Sequence, residues 1–294
     1  MDKDFLYGDQ IQINFQERLN LYQKFYLNFF KEFQHPIDFL ASMPGNFGDH
    51  LICRGCMNLF NLIDINFNQL SYKELLDSKK TKKRILVIPG SGALTMRWHE
   101  WLPELVIRMS KIYKKVIIMP SEYEIQVDVV AKILSLPNIY PMARDVISYN
   151  KIKTISKSII APDPALWALK FLPYKKHSSE DHRYLIALRT DAGSELINQD
   201  FILSESNNDI SLSAHSLDEF IDTINKYNMV ITDRLHVFVT AIMLGKKIFY
   251  IDPANFKITR YVKFHFRDDF KDQIFLISTQ WLLKYKYIYK GSKK

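Results

Sequence analysis

From residue 37 onward, apolar runs of strand length alternate with segments whose apolar residues recur at helical spacing, and this alternation restricts the possible folds most. The runs fall at 37–42, 84–88, 115–119 and 139–143, and a second series follows at 158–161, 184–188, 229–232, 247–251 and 274–278. Helical patterns at 50–62 and 99–113 separate the early runs. Another at 216–227 opens on the capping-box signature Ser216-Leu217-Asp218-Glu219. Strands joined by crossover helices pair in parallel, so the expected class is α/β. The polar, basic stretch 151–157 has no strong period and reads as the crossover between two such units. That reading divides the chain into domains 1–150 and 151–294, the second ending in a C-terminal helix after Ser278. A further amphipathic helix is expected over 17–34, with Leu19, Tyr22, Tyr26, Phe29 and Phe33 on one face and Pro36 beyond its end.

A chain of 294 residues with 47% hydrophobic content can build real cores in one large or two ordinary domains. The N-terminal Met-Asp-Lys-Asp-Phe lacks a basic segment followed by an apolar one, and no run reaches the roughly 18 apolar residues of a spanning helix. The expectation is a protein that is neither exported by a signal peptide nor membrane-spanning, placed in the cytoplasm. Cys53 and Cys56 form a Cys-Arg-Gly-Cys pair inside the 50–62 pattern, with no second pair to complete a zinc site. Helix-packing thiols are favoured there over a redox centre, and no metal site is expected. The formal charge of +8 suits an anionic partner. No zinc-finger, RNP-like or helix-turn-helix pattern supports nucleic acid. The basic, tyrosine-rich tail either rests on an anionic lipid surface at the inner face of the membrane or ends a soluble helix.

The turns after the strands carry the polar and glycine residues. Pro44-Gly45-Asn46-Phe47-Gly48-Asp49 follows the first run, and Pro89-Gly90-Ser91-Gly92 follows the second. Neither is a Walker A sequence or a Gly-x-Gly-x-x-Gly fingerprint. Glycine at the carboxyl ends of parallel strands lets backbone approach an anion closely. Ile231-Thr232-Asp233-Arg234-Leu235-His236 then reads as strand, turn and helix, with Asp233 as N-cap and Gly245 as the stop. Such a junction aims backbone N–H groups at whatever lies above the strand, and adds a guanidinium and an imidazole. It suits an anion that also exchanges a proton.

In this order, Gly45-Asn46-Phe47-Gly48-Asp49-His50-Leu51-Ile52, Gly90-Ser91-Gly92, Ala143-Arg144-Asp145-Val146-Ile147-Ser148-Tyr149, Ala161-Pro162-Asp163-Pro164-Ala165 and Thr232-Asp233-Arg234-Leu235-His236, with Lys257 beyond, resemble the polysaccharide pyruvyl transferase family. The resemblance implies a GT-B-like arrangement, two Rossmann-like domains facing across a cleft. It implies a transferase that moves the enolpyruvyl group of phosphoenolpyruvate onto a sugar of a cell-surface polysaccharide, or its lipid-linked precursor, as a ketal. It also implies that Arg144, His236 and Lys257 surround phosphoenolpyruvate, which is a substrate, with no cofactor needed. The chain departs from the family's pattern at Val237 and Phe238, and at Pro253-Ala254-Asn255-Phe256, which is bulkier and more apolar. The alternative is a GT-B glycosyltransferase of surface-glycan biosynthesis using a nucleotide-activated sugar.

Phosphoenolpyruvate joins a carboxylate and a phosphate on one small skeleton, so two fixed cations are wanted; Arg144 and Lys257 supply them, and Arg234 adds a third. Ketal formation also needs a proton delivered to the methylene carbon and taken from two hydroxyls. Histidine changes charge near neutrality, which suits His236 to general acid or base work. Asp49 and Asp163 are the carboxylates best placed to position or activate acceptor hydroxyls. Asn46, Gly48, Gly90, Ser91 and Gly92 are the expected substrate-contacting turn residues. The oligomeric state has no signature in the sequence.

Overall fold

The computed structural model describes residues 13–79, 81–96, 101–171, 184–191, 207–252, 256–266, 269–278 and 280–282. The chain divides into two compact units, Met1–Met43 with Ile52–Trp167, and Pro44–Leu51 with Ala168–Lys294.

The first unit is built on six strands: β1 (Ile37–Ser42), β2 (Phe67–Ser71), β3 (Thr81–Ile88), β4 (Tyr113–Ser121), β5 (Ile139–Ala143) and β6 (Ile159–Ile160). Their order is β2-β1-β3-β4-β5-β6, and every neighbouring pair is parallel. The order reverses between β1 and β3. In an open parallel sheet that switch is where ligands gather at the carboxyl ends, and the two strands run on into the glycine turns 44–49 and 90–92. The core comprises Leu40, Leu86, Ile88, Val116 and Ile118 from the strands with Leu102, Leu105, Val106 and Met109 from the helix Leu102–Ile112. Two strands differ from the sequence expectation. The edge strand β2, Phe-Asn-Gln-Leu-Ser, is half-exposed and polar, so it carries no apolar run to announce it. The run at 158–161 does not begin the second series: β6 pairs with β5 and closes the first sheet.

The helix Phe15–Lys31 is fixed by a reciprocal capping box, in which Asn14 accepts from Glu17 N–H and Glu17 accepts from Asn14 N–H. It buries Tyr22, Phe25, Tyr26 and Phe30, and the Tyr26 hydroxyl donates to the Pro162 carbonyl. The helix Phe47–Leu62 packs closely enough on the 3-10 turn Pro164–Trp167 that a Cβ on Gly55 would collide with the Pro164 carbonyl oxygen. The cysteines near Gly55, Cys53 and Cys56, are both buried, and burial pushes the Cys56 thiol well up. A thiol held protonated is a poor nucleophile, which accords with the packing role.

The second unit holds β7 (Tyr184–Ala187), β8 (Met229–Thr232), β9 (Lys247–Tyr250) and β10 (Ile274–Leu276), all parallel in the order β10-β9-β8-β7. The helix Leu217–Asn225 starts at Ser216, whose side chain accepts from Glu219 N–H, but the Glu219 carboxylate reaches one residue further back, to His215 N–H. The helix Leu235–Met243 ends as expected at Gly245, with φ of 71°. There Gly245 N–H donates to Ile242 and Lys246 N–H to Ala241, a Schellman closure. Residues 280–282 are helical; the rest of the expected C-terminal helix and the basic tail lie outside the described residues.

Candidate active site

In the second unit, the segment Pro44–Leu51 brings the start of the helix Phe47–Leu62 to His236. Gly45 has φ of 150°, a conformation glycine adopts without strain. Asn46 then caps the helix: its Oδ1 accepts from Gly48 N–H at 2.8 Å, while Asp49 Oδ2 accepts from Asn46 N–H at 3.2 Å. This reciprocal closure fixes Asp49 in the first turn. Gly48 lies against the imidazole, since a Cβ there would sit 2.7 Å from His236 Nδ1. Glycine is needed at 48 for the ring to be where it is.

Asp49 as a residue is half-buried, but its carboxyl group faces inward, and desolvation raises its pKa. Opposing that, in order, are the positive influence of His236, the Asn46 N–H bond, and the charges of Lys257 and His50. A carboxyl, an imidazole and an ammonium therefore share one environment. Lys257 is the first residue of the helix Lys257–Tyr261, whose N–H groups at Ile258 and Thr259 donate to Asp252 at 3.0 and 2.9 Å. Lys246 and Lys247 sit at the other end of β9. Lys246 is buried with its Nζ on the Asn225 carbonyl at 2.7 Å, and Lys247 lies over the Phe275 ring.

Asp233 is not the N-cap that the sequence suggests. Arg234 occupies the cap position of Leu235–Met243 with no side-chain cap bond, and Asp233 instead accepts from Arg189 N–H at 2.8 Å. The parallel pairing of β7 with β8 explains the difference: it puts the turn after Ala187 beside Asp233, which serves as a cross-strand tether. Burial pushes the Asp233 carboxyl up to about 6 despite that bond and the nearby Arg189 and Arg234. Arg234 is buried and its guanidinium is bonded to Asp209 through two nitrogens and to Asp191 at 2.9 Å. Burial alone would lower its pKa, but the two carboxylates outweigh burial and raise it. Arg189 grips the same Asp191 at 2.9 and 3.1 Å, and Thr190 binds Asp209 through its N–H and hydroxyl. This Arg-Asp lattice, which fixes Arg234 at the start of the helix that carries His236, was missed in the sequence because Arg189, Asp191 and Asp209 stand in no motif and meet only in the folded chain.

In the first unit, Gly90 passes so close to Pro120 that a Cβ would strike its carbonyl oxygen. Ser91 is buried; its N–H donates to Ser121 Oγ at 3.1 Å and its Oγ accepts from Ala93 N–H at 3.0 Å. Gly92 is the half-buried member of that turn, with its carbonyl accepting from Thr95. Arg144, directly after β5, is a buried guanidinium, 2% exposed, held by Glu122 at 3.1 Å with Asp163 at 3.9 Å. Asp163 is fully buried and also accepts from Ala165 N–H at 2.9 Å. Glu122, just past β4, is a further residue that the sequence did not single out; its position at a strand's carboxyl end was the available signal.

The model of the family described as polysaccharide pyruvyl transferase matches residues 46–255 of the chain. A crystal structure of a functionally uncharacterized protein from Klebsiella pneumoniae subsp. pneumoniae is similar, with a TM-score of 0.69 at 22% identity, covering 91% of this chain and 100% of that one. It shows the fold alone. No curated protein sequence matches the chain.

Proposed function

The chain belongs to the polysaccharide pyruvyl transferase family and is a transferase, and from that premise we propose that its donor is phosphoenolpyruvate and its acceptor a sugar of a cell-surface polysaccharide or lipid-linked precursor. The observation that carries the reading is the convergence of Asp49, His236 and Lys257 in one unit. Two sugar hydroxyls add to the central carbon of the donor, its methylene carbon gains a proton, and the C–O bond to phosphate breaks. One hydroxyl proton balances the new methyl group and the second leaves with phosphate or solvent. His236 moves these protons, with Asp49 orienting and activating an acceptor hydroxyl. Lys257 binds donor oxygens and offsets their charge, and the first turn of Leu235–Met243, which no side chain caps, faces the departing phosphate.

Within the first unit, Arg144 is the cation we propose for binding substrate. The enclosure of Asp163 suits it to holding Arg144 in place with Glu122, so that Asp163 acts as a positioning residue. Arg234 takes the corresponding part in the second unit, gripped by Asp209 and Asp191. We place the protein in the cytoplasm, with its basic tail against the membrane's inner face; no described helix is long and apolar enough to cross a membrane.

The test is incubation with phosphoenolpyruvate and a panel of lipid-linked glycans, read by phosphate release and by mass gain on the acceptor. His236→Ala is expected to lower turnover by about 10²–10⁴-fold while donor affinity changes little. Near-normal turnover in that variant would remove His236 from the chemistry. Absence of phosphate release, together with thermal stabilisation by nucleoside diphosphates, would replace this reading with a nucleotide-sugar transferase.

A further inference from the structure

Phe256 combines two features that folding alone disfavours. The residue is 61% exposed, and its backbone sits at φ 51° and ψ 35°, in the left-handed region. A bulky aromatic residue is an outlier there, where glycine or asparagine fits without strain. Neither feature is explained by the helix that follows, because Asp252 already accepts the N–H groups of Ile258 and Thr259. Strain retained at one residue points to the site it serves. The next residue is Lys257, which shares its surroundings with Asp49 and His236.

We propose that Phe256 is the acceptor platform, stacking its exposed face on the apolar C–H face of a pyranose ring so that two of the sugar's hydroxyls lie beside Lys257, Asp49 and His236. The identity of that ligand rests on the pyruvyl transferase reading above. An aromatic face carries partial negative charge and the C–H bonds of a sugar carry partial positive charge, so the two surfaces are electrostatically as well as sterically matched. Lys257, the next residue, suits the anionic donor. A neutral acceptor needs a broad apolar contact to hold it and a few polar groups to orient it. Phe256 supplies the first and Asp49 with His236 the second.

Two measurements test the assignment, one independent of catalysis. Saturation-transfer NMR with methyl glycosides of glucose, galactose, mannose and N-acetylglucosamine reads direct sugar binding by the full chain without donor. Acceptor KM and kcat with phosphoenolpyruvate are then read for any glycoside that binds. Phe256→Gly is expected to weaken the preferred glycoside about tenfold and raise its KM correspondingly, with donor affinity and Tm not lowered. Phe256→Tyr should restore binding, and Leu276→Ala, at an equally exposed apolar side chain on β10, should leave it intact. Unchanged sugar binding in Phe256→Gly, or no glycoside bound by the native chain, overturns the platform. If Phe256→Gly loses sugar binding but no form transfers pyruvate, the platform stands and the donor assignment falls. If all forms transfer pyruvate with one acceptor KM, the reverse holds.

Discussion

Two lysines in the same stretch of sequence have different fates. Lys257 stands past the carboxyl end of β9 and influences Asp49; Lys247 opens β9 and covers Phe275. Lys257→Ala is expected to weaken phosphoenolpyruvate binding by about 2–5 kcal/mol, as when one partner of a desolvated charge pair is removed, and Lys247→Ala to leave it unchanged. Calorimetry at one salt concentration checks this; equal affinities would take Lys257 out of the site. Lys246 is a poor control, because its buried ammonium holds the Asn225 carbonyl and its loss should lower stability instead. For Asp233, the folded carboxyl sits near 6 and an unfolded one near 3.9, so the folded state holds the extra proton between those values. Stability therefore falls as pH rises through that window, and the penalty is complete above it. Asp233→Asn keeps an oxygen acceptor for Arg189 N–H and removes the charge. We expect it to be more stable than the native chain by on the order of 2 kcal/mol above pH 6, with the gap closing toward pH 4. Urea unfolding at four pH values would show a constant gap if burial of the charge were not the cause.

At the scale of elements, the sequence was most legible where packing demanded a regular period. β5, β8 and the later part of β4 are buried and appear as apolar runs, β1 is apolar but for the buried Asp38 that pairs with Arg84, and the helix Leu102–Ile112 shows one apolar face. β2 was hidden because an exposed edge demands no apolar pattern. β6 was visible as a run, but no local feature says which sheet a two-residue strand joins. Gly55 illustrates the opposite case, a glycine whose meaning is tertiary. In an isolated helix Gly→Ala gains about 1 kcal/mol, yet here the new methyl group meets the Pro164 carbonyl. Gly55→Ala is expected to destabilise by about 1–3 kcal/mol, with Tm lower by about 2–4 °C for each kcal/mol. A rise in Tm would mean that helix and turn separate without cost.

At the scale of the whole molecule, charge is the property that sequence alone reports directly. The formal net charge of +8 includes Lys284, Lys286, Lys290, Lys293 and Lys294 at the end of the chain. Each basic residue near an anionic bilayer contributes about 1 kcal/mol, screened within a Debye length. Removing 284–294 should therefore cut co-sedimentation with phosphatidylserine vesicles at low salt and leave turnover on a soluble acceptor unchanged. Equal vesicle binding with and without the tail would place the contact elsewhere or exclude it.

The alternation of short apolar runs with helical periods determined a parallel α/β chain, because hydrogen-bonded backbone can be buried there only as strands and helices with those periods. The Gly45–Asp49 and Asp233–His236 motifs were likewise readable, since a tight strand-to-helix turn needs particular residue types in fixed order. Only the tertiary structure decided what those residues touch. It placed Gly48 against His236 across nearly two hundred residues, converted Asp233 from a cap into a tether, and gathered Arg189, Asp191, Asp209 and Arg234 into one lattice. The reason is that such contacts are made by the register of parallel strands and the packing of helices on them, and neither leaves a local period in the chain.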